Sequence, residues 1–497
     1  MLKRIFVILI YLLMSITCTI SPVFAEGDQF QKIDHYVKKQ MKEQSIVGLS
    51  YAIIKDDKIV HMNALGKADL GRAMKTSTPI RIGSLSKSFT ALAIMQLVEK
   101  GSINLQAPVT QYIPSFQLKD KEKSDKITVQ HLLNQVSGIP GMADMELGDQ
   151  LKNKSLEETV KLLKIVETSH PAGEKFEYAN FNYLSLGLIV EKVSGLSLED
   201  YIDQYILKPL NMSQSFTSVK EAKRFGLSKG FSPWFGLHYP AKTFMDDLPN
   251  FLASGYMVSS VKDLGKYVLA FMNGSSLLST DGMKKLQTPS SKAKMIMGGK
   301  YYGDYAMGWF SRNLDGINVI GHAGDLPSVG QSDMYIIPET KEAIVILSNT
   351  NNNYAPGSVH DITEGVIRLL ADKEPASQAT KKSFQQFYLI ADGVIIGILL
   401  LIGGTFFRLR KFKRNFLPLN IWKFLWGVFQ IVVPAMIYLA LPKVLNLPKW
   451  SVVTAVQPDL ITVLLISLFF IFAIGICKLQ IIVSWILNRK IKVSKYS

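Results

Sequence analysis

Cysteine is nearly absent from this chain of 497 residues, which contains only Cys18 and Cys477. Both lie in apolar runs close to the chain ends, so residues 26–383 contain none. This excludes a disulfide framework, a thiolate nucleophile and a cysteine-based metal site from that large central segment. The seven histidines form no His-Glu-x-x-His pair or other dense ligand pattern. The sequence therefore gives little support for a metal centre.

Acidic residues are scarce in the last part of the chain. Residues 384–497 contain 13 basic side chains but only two acidic ones, Asp392 and Asp459. This segment therefore carries most of the net charge of +16. Residues 26–383 are nearly balanced, with 41 basic and 38 acidic side chains. This balance argues against a basic nucleic-acid-binding domain. The hydrophobic content of 48% excludes a mainly disordered protein.

The first 25 residues have the pattern of a secretory signal peptide. Lys3 and Arg4 precede an apolar run, and the modest side chains of Val23 and Ala25 stand at the −3 and −1 positions of a cleavage site. We expect cleavage after Ala25, with an uncleaved anchor as the alternative. Residues 26–372 would then form an exported domain.

Three apolar stretches follow that domain, at residues 387–407, 421–441 and 460–477, the last extending towards 487. Each approaches the ~20 residues that a helix needs to cross the hydrocarbon core of a bilayer. They predict a membrane domain of three helices over residues 387–487, joined to the exported domain by a linker at 373–386.

Basic clusters set the expected orientation of these helices. One cluster lies at residues 408–414, after the first stretch, and another at 489–495, within a basic tail formed by residues 488–497. The positive-inside rule puts both clusters in the cytoplasm and residues 26–372 on the outer face. The signal peptide predicts the same orientation.

The exported domain has strand patterns at both ends and helical patterns between them. Strands are predicted near residues 48–54, 58–62, 317–321, 331–337 and 342–348, a helix near 359–370, and mostly helices over 110–250. This order predicts an α/β domain, with one sheet assembled from the N- and C-terminal segments and a helical subdomain inserted between them.

The strongest chemical motif is Ser84-x-x-Lys87, which follows Gly83 at the start of a long apolar helix. A Ser and a Lys three residues apart share one helix face, so a desolvated amine can activate the hydroxyl. The pattern also occurs at residues 259–262 and 291–294. Residues 259–262 are better interpreted as part of a helix cap formed by Ser260, and residues 291–294 lie in a polar stretch.

Two further motifs carry polar groups suited to a cleft. Tyr178-x-Asn180 precedes an amphipathic helix predicted over residues 183–193, so both side chains are expected on a loop. A phenol held near an ammonium has its pKa lowered and can shuttle a proton, while an amide can orient a carbonyl. His322-x-Gly324 follows a predicted strand, where a glycine lets a substrate backbone approach. Taken alone, Tyr178 fits a packed aromatic and His322 a structural hydrogen bonder.

In this order the three motifs resemble the serine β-lactamase and penicillin-binding protein family, specifically its class C-like hydrolases, esterases and D-amino-acid peptidases. The strings at residues 131–140, 208–212 and 305–309 support the resemblance, which covers roughly residues 30–370. The plan with C-terminal membrane helices is similar to that of membrane-anchored FmtA-like proteins and of peptidases that process D-amino-acid-containing prodrugs.

The resemblance implies an antiparallel sheet flanked by helices and an acyl-enzyme mechanism. Ser84 would be the nucleophile, Lys87 and Tyr178 the proton-transfer pair, and Asn180, with His322 and Gly324, part of the substrate-binding surface. The backbone N–H groups of Ser84 and Asp325 would form the oxyanion hole. No metal or organic cofactor is implied.

One position departs from the family pattern. His322 stands where β-lactamases and D,D-carboxypeptidases usually have a lysine that holds a substrate carboxylate, and histidine is at most partly charged at neutral pH. We therefore expect hydrolysis of a peptide amide or ester, in a wall component, a secreted peptide or an antibiotic precursor. A β-lactamase, a D,D-carboxypeptidase and a non-catalytic binding or sensing protein are the alternatives, and the sequence leaves the oligomeric state open.

Overall fold

The computed structural model describes residues 23–241, 248–274, 277–297, 300–352, 358–376, 384–414, 421–444, 450 and 458–494. Most of the predicted signal peptide and residues 377–383 of the predicted linker lie outside the described residues. The strands are β1 (Gly48–Lys55), β2 (Lys58–Asp69), β3 (Arg72–Ala73), β4 (Ile80–Arg81), β5 (Phe231–Trp234), β6 (Leu237–Pro240), β7 (Val258–Ser259), β8 (Lys294–Met297), β9 (Lys300–Tyr305), β10 (Phe310–Leu314), β11 (Ile317–Leu326), β12 (Gly330–Ile337) and β13 (Glu342–Ser348).

The helices divide into a folded domain and three long apolar helices at the C-terminal end. They are α1 (Val23–Glu43), α2 (Ser86–Glu99), α3 (Lys121–Ser124), α4 (Val129–Leu133), α5 (Ala143–Leu147), α6 (Leu156–Lys161), α7 (Asn180–Ser194), α8 (Leu198–Ile202), α9 (Val219–Arg224), α10 (Val261–Asn273), α11 (Thr280–Gln287), α12 (Val359–Leu370), α13 (Phe384–Arg414), α14 (Ile421–Val444) and α15 (Pro458–Ser494).

A nine-stranded antiparallel sheet forms the centre of the domain, in the order β3-β2-β1-β13-β12-β11-β10-β9-β8. Strand β1 pairs with β13, so the two ends of the domain meet in the middle of the sheet, as predicted. Antiparallel pairing of distant segments is possible because each strand offers a full set of backbone donors and acceptors.

Alternate residues of the central strands enter two different cores. In β1, Tyr51 and Ile53 pack with α1 and α12 on one face of the sheet. On the other face, Ala52 and Ile54 belong to the core that contains α2, α10 and the helical region, which is the set of helices α3 to α9. This follows from the two-residue period of a strand, whose side chains point to opposite faces. Burial on both faces explains why β1 and β13 are almost continuously apolar.

The helical insertion is confirmed, since α3 to α9 lie between β4 and β5. The predicted helix at 359–370 corresponds to α12, and Ser260 caps α10 by accepting a hydrogen bond from the N–H of Asp263. Residues 110–250 contain helices α3 to α9, as predicted, together with strands β5 and β6, which were not predicted. These strands form a hairpin because Phe235 and Gly236 both have positive φ, 49° and 74°, which suits a two-residue turn between antiparallel strands.

Helices α13, α14 and α15 are each long and apolar enough to cross a membrane. Helix α15 packs against both α13 and α14. Gln430 of α14 is buried and accepts a hydrogen bond from Nζ of Lys478 on α15, with the two atoms 2.8 Å apart. Polar groups within such helices usually face a neighbouring helix in this way.

Candidate active site

Ser84 lies in a tight turn, Gly83–Leu85, that leads directly into α2. Gly83 has a φ of +54°, and the hydroxyl of Ser86 donates to its carbonyl oxygen. The turn is also fixed from the sheet, because the hydroxyl of Ser332 on β12 donates to the carbonyl oxygen of Ile82 at 2.7 Å. Ser84 itself is half-buried, so its hydroxyl is held in place but remains accessible.

Lys87 is fully buried one turn further along α2. Its Nζ lies 3.1 Å from Oγ of Ser84, 2.8 Å from Oδ1 of Asn180 and 2.6 Å from the carbonyl oxygen of Ser254. Burial lowers the pKa of Lys87 to about 7, against the opposing effect of the nearby Asp144 carboxylate. A large fraction of Lys87 is therefore neutral near pH 7.

The three neighbours of Lys87 match the hydrogen-bonding capacity of a neutral amine, which has two N–H donors and one lone pair. The carbonyl oxygens of Asn180 and Ser254 can only accept, so they take both donors. In that neutral form the lone pair faces the hydroxyl of Ser84, whereas the ammonium form donates a hydrogen bond to the same oxygen. The contacts around Lys87 thus orient it to accept a proton from Ser84.

Tyr178 lies beside this pair. Nζ of Lys87 is 4.7 Å from the centre of the Tyr178 ring. Burial, with a smaller contribution from Tyr305, raises the pKa of Tyr178 well above 10, and a hydrogen bond with Ser84 opposes the shift only partly. The expectation of a lowered tyrosine pKa was therefore wrong. Its premise was a fixed ammonium nearby, whereas burial shifts both groups towards their neutral forms.

Asn180 is the first residue of α7, which begins three residues before the predicted helix. The expectation that it lies on a loop was wrong, although Tyr178 does precede the helix. Oδ1 of Asn180 accepts from Lys87, and Nδ2 donates to Oδ2 of Asp144 at 2.8 Å. Since an amide NH₂ has two hydrogens, one donor of Asn180 remains for another partner.

Two residues near this motif were missed by the sequence analysis. Asp144, at the second position of α5, faces both Asn180 and Lys87, and burial raises its pKa. Gln135 has a φ of +58°, and its side-chain oxygen accepts from the N–H of Ala179 at 3.0 Å. It also accepts from the side chain of Asn182, so it fixes the loop before α7. Gln135 lies within the string 131–140 that supported the family resemblance, but no motif or spacing pointed to Asp144.

The third motif lies on β11, next to the turn that carries Ser84. A Cβ on Gly324 would lie 2.2 Å from Oγ of Ser332 and 2.3 Å from the carbonyl oxygen of Ile82, so this position accepts no side chain. A Cβ on Gly83 would lie 3.2 Å from the backbone nitrogen of Asp325. The N–H of Asp325 is therefore close to the Ser84 turn.

His322 is 1% exposed, and its ring centre lies 6.3 Å from that of Tyr178. Burial and the proximity of Lys87 lower the pKa of His322 to about 3, so the imidazole is neutral across the physiological range. Its Nδ1 lies 2.6 Å from the carbonyl oxygen of Ala323. Since that oxygen can only accept, the proton belongs on Nδ1.

The structure therefore brings Ser84, Lys87, Tyr178, Asn180 and the His322 strand to one place, from segments far apart in the chain. The sequence profile of the Beta-lactamase family matches residues 33–365. The chain belongs to the β-lactamase family.

Individual relatives agree with this assignment. The chain is 30% identical over 348 residues to Protein flp of Staphylococcus aureus strain N315, covering 69% of this chain and 67% of that protein. It is 24% identical over 395 residues to an Unguisins hydrolase, ungD', of Aspergillus campestris, covering 74% of each. Among solved structures, the octameric penicillin-binding protein homologue from Pyrococcus abyssi matches with a TM-score of 0.62 and 31% identity, over 70% of this chain and 79% of that one.

Proposed function

We propose that this protein is a membrane-anchored serine hydrolase that acts outside the cytoplasm, through an acyl-enzyme, on a peptide amide or an ester. The observation that carries the proposal is the position of buried Lys87, whose Nζ lies within hydrogen-bond distance of Ser84 Oγ and of two carbonyl oxygens. In its neutral form those two carbonyl oxygens take the N–H donors, and the lone pair faces Ser84. A pKa of about 7 makes this amine a usable base at neutral pH.

In the proposed acylation step, Oγ of Ser84 forms a bond to the substrate carbonyl carbon while its proton passes to Nζ of Lys87. The carbonyl oxygen becomes an oxyanion, which the N–H groups of Ser84 and Asp325 stabilise. When the intermediate collapses, the bond to the leaving amine or alcohol breaks, and that group takes up the proton. Water then attacks the acyl carbon while Nζ of Lys87 accepts its proton. The bond to Oγ of Ser84 breaks, the lysine returns the proton to that oxygen, and the carboxylic acid product leaves.

Tyr178 acts in this scheme as a neutral phenol. Its raised pKa makes it a poor permanent base but leaves it able to donate its own proton to the leaving group while receiving one from Lys87. The ring contact with Lys87 and the hydrogen bond with Ser84 support this role, because both bring the phenol beside the Ser84–Lys87 pair. Asn180 would use its remaining N–H to orient a substrate carbonyl, beside the Gly324 strand.

The state of His322 supports an amide or ester substrate over a β-lactam. A buried, neutral imidazole provides no fixed positive charge to hold a substrate carboxylate. D-Amino-acid-containing peptides, cell-wall components and antibiotic precursors remain the substrate classes proposed, and the hydrolase name of the Aspergillus relative is consistent with hydrolysis.

Three apolar helices support membrane anchoring, and their basic flanks support an outer location for the catalytic domain. In this proposal residues 1–25 are a signal peptide, 26–372 the hydrolase domain, 373–386 a linker, 387–487 the membrane domain and 488–497 a cytoplasmic tail. The partners are the substrate and the lipid bilayer. No nucleic acid and no cofactor takes part.

The test is a substrate screen with the purified full-length protein and its Ser84→Ala variant. The panel contains D-aminoacyl amides, acyl-D-Asn peptides, short-chain esters and benzylpenicillin. We expect Ser84-dependent hydrolysis of an amide or ester at a higher kcat/KM than that for benzylpenicillin. Efficient benzylpenicillin turnover would favour a β-lactamase, and failure of every serine-reactive probe to label Ser84 would favour a binding or sensing protein.

A further inference from the structure

The β5–β6 hairpin has one inward face and one exposed face. Phe231 and Pro233 are buried, whereas Trp234, Leu237 and Tyr239 are 40%, 61% and 52% exposed. In the hairpin register Trp234 is opposite Leu237, and Tyr239 is opposite Ser232. Directly opposed residues in an antiparallel pair project to the same side, so the three exposed apolar side chains share one face.

The turn of this hairpin contacts the beginnings of two of the long apolar helices. The backbone N–H of Phe235 donates to Oδ2 of Asp459, the second residue of α15, at 2.8 Å. A Cβ on Gly236 would lie 3.2 Å from Tyr388, in the second turn of α13. The ring of His238 stacks on Phe384, the first residue of α13, with centres 5.0 Å apart.

These contacts fix the level of the hairpin relative to the helices. Trp234 and Leu237 are each one residue from the turn, and consecutive Cα atoms are 3.8 Å apart. Both therefore lie close to the plane in which α13 and α15 begin. Where helices cross a bilayer, that plane is the headgroup region, in which tryptophan and tyrosine side chains concentrate because they have an apolar ring and a polar edge.

We propose that the exposed face of the β5–β6 hairpin is a membrane-contact surface, and that its partner is the headgroup region of the bilayer that α13, α14 and α15 cross. Water-exposed surfaces seldom group large apolar side chains in this way without a partner. Because this face lies beside the ends at which α13 and α15 begin, we infer that the partner is a lipid surface.

The inner end of the hairpin connects this surface to the catalytic strand. The N–H of Phe231 donates to the carbonyl oxygen of Asn349 at 2.8 Å, and the side chain of Asn351 donates to the carboxylate of Asp325. The hydroxyl of Ser328, in the turn after β11, donates to that of Ser232 at 3.3 Å. Lipid contact by the hairpin therefore holds the Asp325 end of the cleft near the membrane surface.

Single-cysteine labelling tests this surface in the full chain. In a Cys18→Ser, Cys477→Ser background, Leu237→Cys is labelled with bimane, and the protein is reconstituted into phosphatidylcholine vesicles that contain lipids with a nitroxide near the headgroup. Leu400→Cys, at a position 71% exposed on α13, is the lipid-facing control. Ile165→Cys, at a position 54% exposed in the helical region, is the water-facing control.

We expect the nitroxide lipids to quench bimane at residue 237 several-fold more than at residue 165, and Tyr239→Cys to behave in the same way. Quenching at 237 no greater than at 165 would overturn the proposal. Disulfide-linked dimers of Leu237→Cys without lipid quenching would assign the face to a second copy of the chain and would also overturn it. Circular dichroism of each variant checks that the fold is retained, and neither readout depends on hydrolase activity.

Discussion

The amide of Asn180 donates a hydrogen bond to the carboxylate of Asp144, with Nδ2 and Oδ2 2.8 Å apart. Through the same amide group, whose oxygen accepts from Lys87, this carboxylate acts on the general base of the proposed mechanism. Burial lowers the pKa of Lys87 to about 7, and the negative charge of Asp144 opposes that effect by raising the pKa.

We therefore predict that Asp144→Asn lowers the pKa of Lys87, because the substitution removes the charge but retains an acceptor for Asn180. In the pH profile of kcat/KM, the fall in activity on the acidic side should move to lower pH by roughly one unit. Hydrolysis of a short-chain ester between pH 5 and 9 measures the shift. Asp149→Asn, at an exposed ion pair with Lys152, is the matched control and should leave the acidic side of the profile in place. An unmoved acidic side in Asp144→Asn would contradict the prediction.

Lys87→Arg should reduce the rate of Ser84 acylation by about 10²–10⁴-fold, because a guanidinium stays protonated and cannot accept the serine proton. The rate of labelling by a fluorophosphonate probe gives the measurement. Lys294→Arg, in the Ser-x-x-Lys pattern at residues 291–294, is the control, since its side chain is exposed. Equal losses in the two variants would show that the loss does not come from removal of the base.

Much of the site could be predicted because its motifs lie at fixed spacings. Ser84-x-x-Lys87 depends on helix geometry alone, and Gly324 reflects the close approach of β11 to the Ser84 turn. The Beta-lactamase assignment and the sheet built from both chain ends followed from the order of these motifs and strands.

Other features depend on contacts between distant segments, which spacing does not reveal. Asp144 and Asn180 are 36 positions apart in the chain, and the pKa of Tyr178 is raised mainly by tertiary burial. Strands β5 and β6 were missed because they are short and contain Pro233 and Pro240, residues that are unfavourable within a sheet. A two-stranded hairpin avoids this penalty, because each strand is an edge strand.

Gly324→Ala should displace the Ser84 turn, since the new Cβ would lie 2.3 Å from the carbonyl oxygen of Ile82 and 2.2 Å from Ser332 Oγ. We expect kcat to fall by at least about tenfold, because small misplacements of reacting groups are costly. Gly71→Ala is the control: Gly71 has a positive φ of 80°, unlike Gly324, and a Cβ there would meet no atom within 4 Å. It should cost about 1 kcal/mol of stability with kcat unchanged. Full activity of Gly324→Ala would argue against the proposed role of this strand.

His322→Lys should increase acylation by a fluorescent penicillin relative to a neutral ester, because it introduces a group that can carry the positive charge that neutral His322 does not supply. The ratio of the two acylation rates is the measurement, and it should rise by about tenfold, equivalent to ~1.4 kcal/mol of preferential binding. His322→Gln keeps the site neutral and serves as the control. A ratio that rises equally in both variants would indicate relief of steric crowding instead of charge recognition.

The pairing of His360 with Asp333 predicts a pH-dependent contribution to stability. Burial alone would lower the pKa of His360, but the carboxylates of Asp333 and Asp325 outweigh it and raise the pKa to about 10. Nδ1 of His360 lies 2.8 Å from Oδ1 of the fully buried Asp333. Because the folded-state pKa lies above the ordinary value of 6.5, this stabilisation is complete below pH 6.5 and is lost as the pH rises towards 10.

The cost of His360→Gln should therefore be largest near pH 6 and should decline by at least ~1.4 kcal/mol by pH 10, since one pKa unit corresponds to that energy. Each kcal/mol of lost stability corresponds to a decrease of about 2–4 °C in the melting temperature of the variant. Thermal unfolding of both proteins in detergent micelles, followed by intrinsic fluorescence at several pH values, gives the difference directly. His35→Gln, on α1, is the matched control for the loss of a histidine elsewhere in the domain. A constant difference for His360→Gln between pH 6 and 10 would mean that His360 is not held in its charged form by Asp333.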